Sequence, residues 1–121
     1  MKFKPFILAQ KMSLHSDHRK HHVGAVILRR DRVVGVGFNQ RKSHPRSPHT
    51  WTIHAELKAI LNAREDLTGC TIYIYREHRN GALACARPCI YCQALLREVG
   101  ITAAFFSNEE GYERMKIDAR W

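Results

Sequence analysis

Two short motifs in this chain carry residue types that can bind a metal and move protons. The first is His54-Ala55-Glu56, and the second is Pro88-Cys89-Ile90-Tyr91-Cys92. The two cysteines are three residues apart, so on a helix their sulfurs can face a single point. His54 and Glu56 are two residues apart and diverge on the side of a helix, so they converge only near its N-terminal end. The spacing therefore predicts a site at the beginnings of two helices.

The candidate ligands are one histidine and two cysteines: His54, Cys89 and Cys92. A structural zinc site is normally closed by four protein ligands, whereas a catalytic site keeps one position open for water. Zinc lowers the pKa of such a water to about 7, and Glu56 can then pass the proton to a substrate as a general acid and base. We therefore expect Zn²⁺ on His54, Cys89 and Cys92, with Glu56 as the catalytic residue.

Each of these residues also has an ordinary explanation. Free cysteines pack well in cores, His54 could be a satisfied core histidine, and a Cys-x-x-Cys pair can be a redox site. The two motifs in this order, each at a predicted helix start, are much harder to obtain by chance. Cys85 is a candidate fourth ligand, but a closed site would leave Glu56 without a task.

The elements that position the first motif follow from the hydrophobic spacing. Pro5 can open a helix over residues 5–14, because its missing N–H is not needed in the first turn. Apolar strands over residues 23–28 and 33–38 flank a polar turn and predict a hairpin. Apolar residues at helical spacing predict a helix over residues 53–63, with Thr52 as its N-cap.

The elements around the second motif complete the predicted fold. A strand over residues 71–75 precedes a helix that Pro88 opens and Gly100 ends. A strand over residues 101–106 and a turn follow, and the last segment is either a strand over 112–117 or a helix over 112–120. The order α-β-β-α-β-α-β-β predicts a single α/β domain over residues 1–121, with helices on both faces of a mixed sheet.

The two motifs match the H-x-E and P-C-x-x-C signature of zinc-dependent nucleobase deaminases. The chain resembles the cytidine/deoxycytidylate deaminase superfamily over nearly its whole length. Residues 23–27 and 35–39 resemble that family's first two strands, and Ser16 fits its deoxycytidylate-type members. The resemblance implies a three-layer α/β/α fold with a mixed five-stranded sheet. The chain departs from many relatives at Arg87, where they carry Glu, and at Cys85, where they carry Ser or Thr.

The activity implied by the resemblance is hydrolytic removal of the exocyclic amine from a cytosine-type base. By resemblance, an activated water attacks C4 of the base, while Glu56 protonates N3 and then the leaving amine. The backbone N–H of Ala55 would hold the base carbonyl, and Asn39 would contact the sugar or the base. The alternative for Asn39 is a turn residue that tolerates unusual backbone angles.

Further substrate contacts are expected from residues beside the motifs. Phe38 and Trp51 could stack on a base, although aromatic residues usually fill cores. The basic loop over residues 41–49 lies between Asn39 and His54, so it predicts a phosphate clamp that includes Arg46. The alternative is a basic loop that is only solvated.

The formal net charge of +9 implies attraction to anions. We expect a free nucleotide or nucleoside as the small-molecule partner, with a deoxycytidylate-like substrate favoured. One alternative is a deaminase acting on cytosine or adenine within single-stranded DNA or RNA. Another is a non-catalytic zinc module that binds nucleic acid, against which Glu56 argues.

The hydrophobic pattern and the family resemblance give expectations for cellular location and oligomeric state. No apolar run has the length of a signal peptide or a membrane span, so we expect a cytoplasmic protein with no membrane partner. Relatives often complete the rim of the pocket from a neighbouring subunit, so the resemblance also implies a homo-oligomer.

Overall fold

The secondary structure has the predicted order α-β-β-α-β-α-β-β. The computed structural model describes residues 3–17, 21–41 and 53–117. The elements of the first half are α1 (Lys4–Ser13), β1 (His21–Arg29), β2 (Arg32–Phe38) and α2 (Ala55–Asn62). Those of the second half are β3 (Thr71–His78), α3 (Ile90–Glu98), β4 (Ala103–Asn108) and β5 (Gly111–Lys116).

The five strands form one mixed sheet in the order β2-β1-β3-β4-β5. β1 pairs antiparallel with both β2 and β3, so β2 and β3 run in the same direction with β1 between them. β3 and β4, which α3 connects, pair in parallel as a strand–helix–strand crossover favours. β5 closes the sheet antiparallel to β4. The predicted mixed five-stranded sheet is confirmed.

Helices cover both faces of this sheet. Phe6 and Ala9 of α1 pack against Val26 and Tyr73 on one face. On the other face, buried residues of α2 and α3 share a core with those of the strands, among them Ala59, Leu96, Ile27, Ile74 and Phe106. The packing of α1 is close, since a Cβ on Gly24 would lie 1.9 Å from the carbonyl oxygen of Ala9.

The start of α2 differs from the prediction. Ile53 is paired with Gln40 in an isolated antiparallel bridge, with N···O distances of 2.9 and 3.0 Å. His54 is the N-cap, in an extended conformation, and the helix ends at Asn62. The prediction of a helix from residue 53 capped by Thr52 is therefore wrong, because the bridge holds Ile53 in extended backbone. Because the helix starts later, His54 and Glu56 lie at its N-terminal end.

Pro88 also lies further from its helix than predicted. Cys89 is the N-cap of α3, and the first helical residue is Ile90. Cys92 and Leu96 are buried, and Leu95 and Val99 pack against the core, so the predicted apolar face of α3 is confirmed.

β3 is longer than predicted and is followed by a tight turn. Gly81, with φ of 87°, lies in this turn, where the N–H of His78 donates to the oxygen of Ala82. The chain then runs back along β3, with Glu77 bridged to Leu83. We call residues 82–87 the return segment, because they lead from this turn to the second motif.

The last segment is a strand, which decides between the two predicted alternatives. Gly111–Lys116 pairs with β4 along its whole length. The side chain of Asn108 accepts a hydrogen bond from the N–H of Glu110 at 2.9 Å and so shapes the turn between them. In the part of the chain that the structure describes, no helix is both long and apolar enough to cross a bilayer.

Candidate active site

The three predicted metal ligands meet where α2 and α3 begin. His54 is the N-cap of α2, Cys89 is the N-cap of α3, and Cys92 lies in the first turn of α3. One donor atom from each residue lies within 4.8 Å of the others. The Nδ1 atom of His54 is 3.2 Å from the Sγ atom of Cys92. The exposed Cys85 does not join this group, so the described residues offer three candidate ligands rather than four.

Close packing of α2 on the sheet fixes the position of His54. A Cβ on Gly37 of β2 would lie 2.4 Å from the amide nitrogen of Ala59 and 2.7 Å from the oxygen of Ala55. Glycine at this position therefore lets the backbone of α2 approach β2. The consequence is that the first turn of α2 lies directly over the sheet, facing the first turn of α3.

Glu56 is buried next to the three ligands, with 6% of its surface exposed. Burial raises the pKa of the Glu56 carboxyl, while hydrogen bonds with its own backbone and with Cys92 oppose the rise. Burial also raises the pKa of the Cys92 thiol, and the negative charges of Glu56 and Cys89 add to the effect. The carboxyl of Glu56 and the thiols of Cys89 and Cys92 therefore lie close together.

This donor set fits a divalent zinc ion. Thiolate and imidazole are preferred zinc ligands, and they bind in their deprotonated forms. A cation between His54, Cys89 and Cys92 would favour the ionised thiol of Cys92, which burial and the neighbouring negative charges disfavour. The positive ends of two helix dipoles act in the same direction.

The ligand group opens into a cavity of about 240 Å³. Asn39 lines this cavity and is held by β1: its Oδ1 accepts from the N–H of Val23, and its Nδ2 donates to the oxygen of His21, each at 3.0 Å. One N–H and one lone pair of the amide remain for a substrate. The lining residues are His21, Val23, Asn39, His54, Ala55, Glu56, Arg76, Cys85, Ala86, Arg87 and Cys89.

The other predicted substrate contacts have different outcomes. Ala55 lines the cavity at the first helical position, where a backbone N–H has no partner within the helix. Phe38 is not among the described residues that line it, and its ring lies 5.7 Å from that of His15. A stacking contact of Phe38 with a base stays a prediction. Trp51 and Arg46 lie outside the described residues.

Among the cavity residues with basic side chains, three were not predicted to belong to the site: His21, Arg76 and Arg87. Arg76 lies two residues beyond Ile74 on the same face of β3, in a part of the strand that the sequence prediction ended too early. An arginine that continues an apolar strand face is the signal that could have identified it. Arg87 stands where many relatives carry Glu, and the structure shows that this difference lies in the cavity wall.

Comparison with known proteins agrees with this geometry. The sequence model of the family described as "Cytidine and deoxycytidylate deaminase zinc-binding region" matches residues 4–108. The protein named "Uncharacterized deaminase in luxG 3'region" of Aliivibrio fischeri is 30% identical over 112 residues, which cover 83% of this chain and 67% of that protein. The deoxycytidylate deaminase of Mycobacterium phage D29 is 27% identical over 125 residues, covering 84% of this chain and 90% of its own.

The structural comparison confirms the predicted fold. The crystal structure of cytidine deaminase from Burkholderia pseudomallei superposes with a TM-score of 0.71 at 16% identity, covering 97% of this chain and 93% of that one. The family match spans most of the chain and includes both motifs. The chain therefore belongs to the family defined by the cytidine and deoxycytidylate deaminase zinc-binding region.

Proposed function

We propose that this protein is a zinc-dependent hydrolase that removes the exocyclic amine from a cytosine base carried by a free nucleotide or nucleoside. A deoxycytidylate-like substrate is favoured, in line with the phage relative named deoxycytidylate deaminase. The observation that carries the proposal is the convergence of His54, Cys89 and Cys92 beside the buried Glu56 at one cavity. A metal site with three protein ligands and a neighbouring acid is the arrangement of a hydrolytic zinc enzyme.

His54, Cys89 and Cys92 would hold the zinc ion. When bound, zinc supplies Lewis acidity and makes a water molecule acidic enough to react near neutral pH. Glu56 is not a member of the three-residue ligand group, although its carboxylate lies beside that group. Because Glu56 lies beside the group without belonging to it, its position supports the role of a proton carrier rather than that of a fourth ligand.

Glu56 would carry the protons of the reaction. Hydrolysis adds water at C4 of the base, breaks the C4–N bond, and releases ammonia as the carbonyl forms. Each turnover moves protons from water to ring N3 and to the leaving amine. A carboxyl group beside the reacting atoms can accept a proton and then return it, which is general acid–base catalysis, and Glu56 is the buried carboxyl in that position.

Two groups at the cavity wall would orient the base. The backbone N–H of Ala55, at the beginning of α2, would donate to the base carbonyl. Asn39 would contact the sugar or the base with the part of its amide that β1 does not use. Trp51 beside the base and Arg46 at a phosphate complete the proposed contacts.

A strand of DNA or RNA is the second candidate substrate, because the net charge of +9 attracts polyanions. The cavity, of about 240 Å³, supports a small ligand instead. A non-catalytic zinc module is less well supported, because such a site would not need the buried carboxyl of Glu56.

We also propose that the chain acts as one deaminase domain in a cytoplasmic homo-oligomer. Ile90 and Tyr91 are 76% and 61% exposed at the start of α3, beside the ligands Cys89 and Cys92. Large apolar side chains in such a position support burial against another subunit.

The proposed activity is tested by ammonia release from a substrate panel. The panel contains cytidine, deoxycytidine, their monophosphates, and single-stranded oligonucleotides. We expect turnover of a free mononucleotide, with poorer turnover of the matching nucleoside. Turnover confined to oligonucleotides would overturn the small-molecule assignment and leave the zinc chemistry intact.

A further inference from the structure

Arg76 brings a positive charge to the wall of the same cavity. Its guanidinium makes two hydrogen bonds: NH1 donates to the oxygen of Cys85 at 3.1 Å, and NH2 lies 2.7 Å from the Nδ1 atom of His21. A guanidinium carries five N–H groups. The Nε atom is buried without a hydrogen-bond partner. Unsatisfied buried donors are uncommon and call for a physical explanation.

The charge of Arg76 is not neutralised within the described part of the chain. No ion pair joins its guanidinium to a carboxylate of a described residue. Arg87 is a second arginine in the cavity lining, and among the described lining residues Glu56 is the one with a carboxylate. Over the residues that the structure describes, the cavity therefore joins the candidate metal ligands to two arginines that form no ion pair with a carboxylate.

The position of Arg76 is fixed before any ligand binds. Its backbone N–H donates to the Oγ atom of Ser107 at 3.0 Å, and that hydroxyl donates to the oxygen of Ala84 at 2.9 Å. The contacts with His21 and Cys85 join the side chain to β1 and to the return segment. An arginine held in this way loses little conformational freedom when it binds an anion.

We propose that Arg76, assisted by Arg87, binds the phosphate of a pyrimidine mononucleotide in this cavity and so determines the preference for nucleotide over nucleoside. The assignment rests on the proposed function, which supplies the base. The planar guanidinium matches the geometry of phosphate oxygens, and two guanidinium groups suit a dianion.

The test is calorimetric binding of dUMP and deoxyuridine, the products expected from deoxycytidylate and deoxycytidine. The wild-type protein should bind dUMP on the order of tenfold or more tightly than deoxyuridine, as a charged hydrogen-bonded contact gives. Arg76→Gln should weaken dUMP binding by about tenfold and leave deoxyuridine within about twofold. The dUMP affinity of Arg76→Lys should lie between those of the wild type and Arg76→Gln, because lysine keeps the charge but not the paired N–H donors of the guanidinium.

Arg79→Gln is the matched control. Arg79 is exposed in the turn after β3 and does not line the cavity, so this variant should bind both ligands like the wild type. A wild-type protein without preference for dUMP overturns the assignment. An equal loss of both ligands in Arg76→Gln also overturns it, since that pattern indicates a purely structural role. If Arg76→Gln does not fold, an unchanged ligand preference in Arg76→Lys overturns it.

Three further outcomes distinguish a phosphate from a carboxylate ligand and this proposal from the proposed function. Orotate carries a carboxylate on the base, and tighter Arg76-dependent binding of orotate than of dUMP would overturn the phosphate assignment. Arg76-dependent binding of dUMP without deamination of any cytosine substrate would sink the proposed function and support this one. Deamination with no Arg76-dependent phosphate preference would sink this one alone.

Discussion

The Nδ1 atom of His54 lies 3.2 Å from the Sγ atom of Cys92, although the two residues are 38 positions apart in the chain. Each lies at the beginning of its own helix, and the two helices share one face of the sheet. A site built in this way depends on how the helices are placed as much as on the ligands themselves.

Removal of a ligand should release the metal. Cys89→Ala and Cys92→Ala should contain far less than one zinc per chain and unfold at lower temperature, because metal binding and folding are coupled. Metal analysis and thermal unfolding provide the measurements. Cys85→Ala is the control, since Cys85 is exposed and outside the ligand group. Full zinc content in both ligand variants would contradict the assignment, and zinc loss in the control would indicate a fourth ligand.

Displacement of α2 should weaken the metal site without changing a ligand. Gly37→Ala places a Cβ 2.4 Å from the backbone of α2, and overpacking of this kind costs about 1–3 kcal/mol of stability. Gly24→Ala is matched to it, because its Cβ would meet α1 on the opposite face. Urea unfolding should show both variants destabilised. Chelator competition should show weaker zinc binding in Gly37→Ala, and an equal zinc affinity in the two variants would count against the prediction.

Asn39 should contribute to stability as well as to catalysis. Asn39→Ala removes the two hydrogen bonds that the side chain makes with the N–H of Val23 and the oxygen of His21, at a cost of about 1–3 kcal/mol. The free energy of unfolding, measured by chemical denaturation, and kcat/KM should both fall. Asn80→Ala, which alters a turn outside the cavity, should leave kcat/KM unchanged. Wild-type stability in Asn39→Ala would contradict this account.

The dependence on salt should distinguish a mononucleotide from a strand. A mononucleotide displaces few counterions, so its KM should change only modestly between low and physiological salt. For a single strand, log K falls by roughly 0.7 per neutralised phosphate for each tenfold rise in salt. The measurement is KM or Kd against salt concentration. A steep slope, with similar losses from several Lys and Arg substitutions, would favour the strand.

The motifs and the order of elements could be predicted because both depend on local spacing. The start of α2 could not, since it depends on a bridge between Gln40 and Ile53 that no local pattern reveals. The contact of Phe38 with a base was predicted because Phe38 adjoins Asn39, but adjacent residues of a strand point to opposite faces, and only Asn39 is among the described lining residues. Arg76 was missed because the predicted strand ended at residue 75, one position before it.

Substitution of Glu56 tests the central claim most directly. Zinc content and ammonia release from deoxycytidylate should be measured on the same preparations of wild type and Glu56→Gln. We predict one zinc per chain in both proteins, with turnover in the variant lower by about 100-fold or more, because the proton carrier is lost while the three ligands remain. A zinc-loaded Glu56→Gln protein that turns over at the wild-type rate would contradict the account.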